Sequence, residues 1–503
     1  MAGDSQAQIS TLSSRAQAHA NPGAIGSPLW DVVNDLWHPQ DNPNGYVSLG
    51  IAENALMYQE LEEHIARNFK IPLHAFTYGN GPLGSKRLKT AVARFLNRRL
   101  NPVTQLEAQH IIITNGTSHS IEHTSWAFCN PGDGFLLGQP YYGAFLPDIS
   151  LRPGVEVVKV PLKHVDPMSM EAVKDYESAL LAAKDRGVTV RALMLCNPHN
   201  PLGRCYSREV IIAYMRLCQK YQIHLVSDEI YAFSVWKNDR DSTPAPVDFV
   251  SALSIPLDGV MDPALLHALW GVSKDFGANG LRVGFVISQH NEAFRQALLS
   301  VAIYSYASSV SEHIVANILE DDAWVDKYIR TNQAKLAESY AFVVDFFREH
   351  NIPYTPGANA AFFIVPDLGK AYLDRHQDRK PSDAGDITGE VMQLLMRHKV
   401  FLTSGPYFGA ESPGTGIGLN LWIFGCSRSL KRQYLTERIT GSLHDLSLGT
   451  SWNRRGNARS IYLTDPADSP GRIDPRAKSV LTSMSQRALM SVPKAATYFQ
   501  LNQ

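Results

Sequence analysis

No stretch of this chain approaches the roughly 20 consecutive apolar residues that a membrane helix needs, so a helical membrane protein is not expected. An excess of either charge is also missing. Lys and Arg total 47 against 48 Asp and Glu, a formal charge of −1, which leaves no electrostatic footprint for nucleic acid or an anionic membrane surface. Cysteine is scarce: the five (Cys129, Cys196, Cys205, Cys218, Cys426) are odd in number and scattered. They form no disulfide framework and fit a reducing, cytoplasmic setting. The N-terminal segment from Met1 to Gly23 has no apolar h-region, so it reads as a frayed polar arm rather than a secretory signal. With 35 Gly and 29 Pro in 503 residues, collagen-like and bulk low-complexity architectures are excluded. No internal repeat at solenoid periods is found, and no metal is expected.

What is present is the composition of a globular protein with a large core, 44% hydrophobic and 19% charged. The length allows about two to four domains. Residues 1–45 read as an N-terminal arm with one helix around Leu29–Trp37. From about residue 85 to 320, strand-like runs alternate with helical patterns. The runs are Ile111–Ile113, Gly134–Leu137, Val155–Val160, Arg191–Cys196, Ile223–Ser227 and Val283–Ile287. The helical patterns are Ser85–Leu100, Met170–Arg186 and Ser207–Tyr221. This alternation predicts an α/β fold, a mixed sheet with both faces covered. Val310–His350 reads as one long helix leaving that domain. Strands at Ala360–Val365 and Leu419–Phe424, with a helix at Asp386–His398, predict a smaller α+β domain. The expected division is a large domain over 46–325, with 46–70 partly contributing to the small one, a small domain over 326–445, and a tail over 446–503.

Gly79-Asn-Gly-Pro-Leu-Gly84 satisfies G-x-G-x-x-G, but a dinucleotide loop must follow a buried strand and open a helix. The residues before it, from Pro72 to Tyr78, hold a Pro and no clean apolar run, so a nicotinamide oxidoreductase is set aside. More telling is Trp270-Gly-Val-Ser-Lys-Asp-Phe-Gly-Ala-Asn-Gly-Leu-Arg-Val-Gly284. Taken alone, Lys274 and Arg282 fit a surface loop. Functionally, Lys is the residue for a Schiff base with a carbonyl cofactor, because burial exposes a nucleophilic amine. Arg matches a phosphate bidentately. Asp228, after the run ending at Ser227, is placed at a strand's C-terminal end, where α/β sheets bind ligands. There it can pair with a pyridinium nitrogen. Tyr231 and the Asn200 amide are donors for a phenolate oxygen, and Gly116-Thr117-Ser118 offers a phosphate the N-terminus of a helix. Singly, such residues more often cap helices or order turns; in this order they are specific.

The set Gly116-Thr-Ser118, Asn197-Pro-His-Asn-Pro-Leu-Gly203, Ser227-Asp-Glu-Ile-Tyr231 and Ser273-Lys-Asp with Arg282-Val-Gly284 resembles the class I/II aminotransferases. These are fold-type I enzymes that use pyridoxal 5′-phosphate (PLP). Gly50-Ile-Ala-Glu-Asn-Ala-Leu56, Tyr78-Gly-Asn-Gly81, Asn130-Pro-Gly-Asp-Gly134 and Pro140-Tyr-Tyr142 make it most similar to the 1-aminocyclopropane-1-carboxylate (ACC) synthase-like branch. The resemblance spans about residues 45–440. It implies a large domain with a mostly parallel seven-stranded sheet, a smaller α+β domain, and a homodimer with shared active sites. The implied substrate is a small-molecule amine or amino acid, processed through aldimine and quinonoid intermediates. Lys274 would be the Schiff-base lysine and proton shuttle; Arg282, Thr117, Ser118 and Ser273 would hold the phosphate, reached by Tyr78 from the neighbouring subunit. Tyr142, or Tyr141 one register away, would stack on the ring. Asp228 would pair with the ring nitrogen, Asn200 and Tyr231 with the phenolate oxygen. Ala52 and Glu53 would lie beside the substrate.

Two positions depart from the family. Three residues before the lysine, where Ser or Thr is usual, stands Gly271. Where the family places the Arg that forks the substrate carboxylate, this chain has Asn420, with Arg428 the nearest substitute in sequence. Transamination is the favoured reaction. The alternatives are an ACC-synthase-like elimination, cyclisation or replacement in specialised metabolism, and a non-catalytic protein that keeps the fold.

Overall fold

Each apolar run of the sequence needs cover on both faces, and the fold supplies it around one sheet. The computed structural model describes residues 11–20, 27–162, 165–376, 384–410 and 419–420, all within one compact unit. The sheet strands in chain order are β1 Ile111–Asn115, β2 Gly134–Gly138, β3 Glu156–Val160, β4 Val190–Cys196, β5 His224–Asp228, β6 Leu266–Gly271 and β7 Val283–Ile287. Their spatial order is β1-β7-β6-β5-β4-β2-β3. β7 is antiparallel to both neighbours, β1 and β6; the remaining pairs are parallel. β2, β6 and β7 are buried at every residue, as strands between two helical layers must be. Helices Lys86–Leu100, Met170–Asp185 and Arg208–Tyr221 each start behind a serine, Ser85, Ser169 and Ser207. In each case its hydroxyl accepts a backbone N–H of the first turn.

The strands and these helices match the sequence reading closely, with four informative differences. β6 is not among the runs read as strand, because His267 interrupts its apolar pattern. Buried, this ring is satisfied by Ser288 Oγ and by His224, each at 3.0 Å. The stretch read as one helix over Val310–His350 is two, Ser309–Glu320 and Asp322–Glu349. Asp321 sits between them and accepts the Trp324 N–H. Ala360–Val365 is not a continuous strand: Val365–Pro366 pairs with Tyr354–Thr355, and Ala360 makes an isolated antiparallel bridge to Val235. The Ala360 and Ala361 amides reach Gly203 O and Ser234 O, so most of its apolarity reflects burial rather than a ladder. Near the N-terminus the helix spans Ser27–Val33 rather than Leu29–Trp37. Leu419–Asn420 pairs with Thr403–Ser404; the remainder of the expected strand Leu419–Phe424 lies outside the described residues.

A second hydrophobic cluster includes Val47, Leu49, Tyr340, Phe347, Leu395 and Val400. It joins the parallel pair Val47–Ser48 and Val400–Phe401 to helices Asp322–Glu349 and Ala384–Arg397. Among the described residues no helix is long and apolar enough to cross a membrane.

Candidate active site

Parallel strands in register deliver their C-terminal ends to one edge. Cys196 of β4 lies opposite Asp228 of β5, and Asp228 opposite Leu269 of β6. The loops that leave this edge carry Asn200, Tyr231, Ser273 and Lys274. Helix Thr117–Phe128, which follows β1, presents its N-terminus to the same place, and Arg282 immediately precedes β7. These side chains, with Ser118, Tyr142, Ala52 and Glu53, line a single cavity of about 1610 Å³. Tyr142, not Tyr141, faces it: Tyr141 is buried and its N–H donates to Phe408 O at 2.9 Å.

Burial sets the charge states. The Lys274 ammonium is pulled down to about 8 by desolvation, against the opposing influence of Glu53. Its Nζ donates to Ala52 O at 2.8 Å, while Glu53 accepts from Asn279 Nδ2 at 2.8 Å. Burial pushes the Asp228 carboxyl up to about 7, opposed by the Ile230 N–H and by Lys274. Only a backbone N–H at 3.3 Å serves its Oδ1. Such a carboxyl is short of positive charge, which a protonated ring nitrogen supplies.

At the other end, small residues make the cradle. Gly116 precedes helix Thr117–Phe128 with φ 76°, where a side chain is strained. A Cβ there would overlap the Arg282 guanidinium, and one on Gly284 would lie 2.6 Å from Thr117 N. Gly271, the first departure from the family pattern, has the same cause: its Cβ would meet Thr117 Oγ1 at 2.8 Å. Thr117 thus occupies the space of the missing hydroxyl. Its buried Oγ1 has no hydrogen-bond partner, and neither has Asn200 Oδ1. Unsatisfied buried polar atoms are rare, and three residues that carry one, Thr117, Asn200 and Asp148, line this cavity together with a guanidinium and a helix N-terminus. This set fits a phosphate-bearing pyridine ring. Tyr231 is held by the edges of Phe362 and Phe363, with ring centroids 5.4 and 5.1 Å away.

Two expected residues, Gly116 and Tyr78, do not line the cavity. Gly116 lies behind Arg282. Tyr78 is 84% exposed and lies near a different opening, which its neighbours Phe76 and Thr77 line together with Arg282. The side chain of Asn420 falls outside the described residues, as does Arg428; the backbone of Asn420 pairs with Thr403, which lines the cavity. Among the cavity residues that escaped the sequence reading is a second titratable carboxyl. Asp148 is pushed up to about 7 by burial, and its Oδ2 has no partner. Nothing in its local sequence, six residues after Tyr142, marks it.

The sheet order, the half-buried lysine and the cradle define a fold-type I protein of the aminotransferase kind. Residues 52–416 match the family described as aminotransferase class I and II, and the chain belongs to it. It is 30% identical over 407 residues to "Probable aminotransferase tcpI" of Claviceps purpurea (strain 20.1), covering 79% of this chain and 89% of that protein. It is 28% identical over 419 residues to "1-aminocyclopropane-1-carboxylate synthase-like protein 1" of Bos taurus, covering 80% of each. Among solved structures it resembles a Thermus thermophilus aspartate aminotransferase double mutant with a TM-score of 0.61. That match has 18% identity and covers 87% of this chain and 99% of the other, a likeness of fold.

Proposed function

We propose that this chain is a PLP-dependent enzyme acting on a small-molecule amine or amino acid, with transamination as its reaction. The observation that carries this reading is the convergence of Lys274, lowered to about 8, and Asp228, raised to about 7, in one cavity with the Arg282 guanidinium and the start of helix Thr117–Phe128. PLP, when bound, supplies the carbonyl that captures the amine and the electron sink for the pair left at Cα. Lys274 is the covalent anchor and, released, the base that takes and returns the Cα proton. An amine near 8 is partly neutral at physiological pH, as that task requires. Asp228 keeps the ring nitrogen protonated. Asn200 and Tyr231 would hold the phenolate oxygen, and Tyr142 would cover the ring. Arg282, Thr117, Ser118 and Ser273, with the helix start behind Gly116, hold the phosphate. Ala52, Glu53 and Asn420 lie on the substrate side.

The proposal includes a cytoplasmic homodimer in which the partner subunit's Tyr78 completes the phosphate site. The exposed apolar residues Leu73, Phe76, Tyr78, Ile303 and Tyr304 support it, since so many exposed rings mark an interaction surface. It also includes the division into a large domain over 46–325 and a small one over 326–445.

One observation favours a second reading, an ACC-synthase-like elimination or replacement. Glu53, the residue the resemblance assigns to substrate selection, acts electrostatically on Lys274. Apo-protein is titrated with PLP, then given amine donors with and without a 2-oxo acid. Transamination needs the acceptor and yields a new oxo acid; elimination releases a leaving group without it. Neither product with any donor would refute the catalytic reading.

A further inference from the structure

The cavity is larger than the proposed chemistry requires. Its volume of about 1610 Å³ exceeds the roughly 300–1,000 Å³ of ordinary small-molecule sites. Apart from the residues already assigned, much of its wall is apolar, and two elements contribute four large apolar side chains to it. Leu29 and Trp30 project from helix Ser27–Val33, and Met392 and Met396 from helix Ala384–Arg397. The two methionines are four residues apart and so share one helix face. Both elements are fastened to the same framework. Asp35, just beyond the first helix, pairs at 2.8 Å with Lys399, just beyond the second. Lys399 also sits 4.0 Å over the Tyr46 ring, and the adjoining Val47 and Val400 pair in parallel. This wall is therefore built into the fold.

Trp30 is 58% exposed, a large ring with an open face on a cavity lined by flexible thioethers. Gln393 and Arg397 of helix Ala384–Arg397 also line the cavity, but the Leu29, Trp30, Met392 and Met396 patch itself suits a broad apolar side chain, to which methionine adapts readily. We infer that the amine taken by this site carries a large apolar body, aromatic or branched aliphatic, seated against Leu29, Trp30, Met392 and Met396. This rests on the PLP reading above and adds the substrate class to it.

The probes are N-(5′-phosphopyridoxyl) adducts of L-tryptophan, L-alanine and L-aspartate, titrated calorimetrically into apo-protein beside PLP itself. No turnover is needed. The tryptophan adduct is expected to bind at least about tenfold tighter than the other two, the scale of discrimination by an apolar pocket. Trp30→Ala with Met396→Ala should bring the three adducts within about threefold of one another, leaving PLP affinity unchanged. Alanine or aspartate adducts binding as tightly as the tryptophan adduct, with PLP binding intact, would overturn the inference alone. Failure of PLP itself to bind would overturn the underlying reading, and the inference with it.

Discussion

Asp228→Asn should stabilise the apo-protein while disabling it. Asp228 is 4% exposed, and its carboxyl rises from the ordinary 3.8 to about 7 in the fold, through burial first. Below pH 3.8 the folded and unfolded chains both hold the proton, and the residue contributes nothing. Between that pH and about 7 the unfolded chain ionises while the folded chain keeps its proton, so folding loses stability as pH rises. The difference of 7 − 3.8, about 3 pH units, corresponds to about 4 kcal/mol at 1.36 kcal/mol per unit. Water entering the open cavity relaxes part of this, and about 2 kcal/mol is expected. An amide of the same shape carries no such penalty. Urea unfolding of parent and variant apo-proteins at pH 5 and pH 8 measures it. The stability of the variant relative to the parent should rise by roughly 0.5–1 kcal/mol between the two, the rest of the difference being already present at pH 5, where the unfolded chain is ionised, and the other titrating groups cancelling in the comparison. A relative stability that is flat or falls with pH would refute the buried, charge-starved state assigned to Asp228. With PLP added, the same variant should bind cofactor yet lose most of its proton abstraction, because a neutral amide does not hold the ring nitrogen protonated.

Gly116→Ala strains a φ of 76° and pushes on the Arg282 guanidinium, so PLP affinity should fall by roughly 1–3 kcal/mol with the fold retained; an unchanged Kd would contradict the cradle. Mixing Tyr78→Ala and Lys274→Ala subunits should restore activity that neither variant has, to roughly a quarter of the parent level, since one site in a hybrid dimer is intact. No recovery after subunit exchange would sink the shared site. Asn420→Arg should lower KM for ordinary α-amino acids by restoring a bidentate carboxylate partner; tight saturation of the parent by aspartate would show that another cation already does this.

Asp228, Asn200 and Thr117 were legible because each follows a strand whose apolar run is itself legible, whereas Lys274 was found by its Gly-punctuated motif alone, the strand before it having gone unread. Asp228 ends β5, Asn200 follows β4, and Thr117 starts the helix after β1. Where an apolar pattern is broken by a satisfied polar group, as at His267, or made by burial without a continuous ladder, as at residues 361–363, local sequence misleads. The N-capping aspartate that splits the long helix at Asp321 is a weak signal inside an otherwise continuous helical pattern. Asp148, Trp30 and Met396 were not legible as cavity residues. They are brought together from positions more than a hundred residues apart, and singly each resembles an ordinary surface or packing residue. Sequence also shows that Gly271 departs from the family, but only the packing shows why: the Thr117 hydroxyl takes the space.

The central claim is that Lys274 is the covalent anchor of PLP. Its most direct test is borohydride reduction of the PLP-loaded protein, followed by proteolysis and mass spectrometry. The account predicts one stable pyridoxyl modification, on the peptide containing Lys274, and its loss in Lys274→Ala. Modification spread over surface lysines, or an unmodified Lys274 in fully loaded protein, would contradict it.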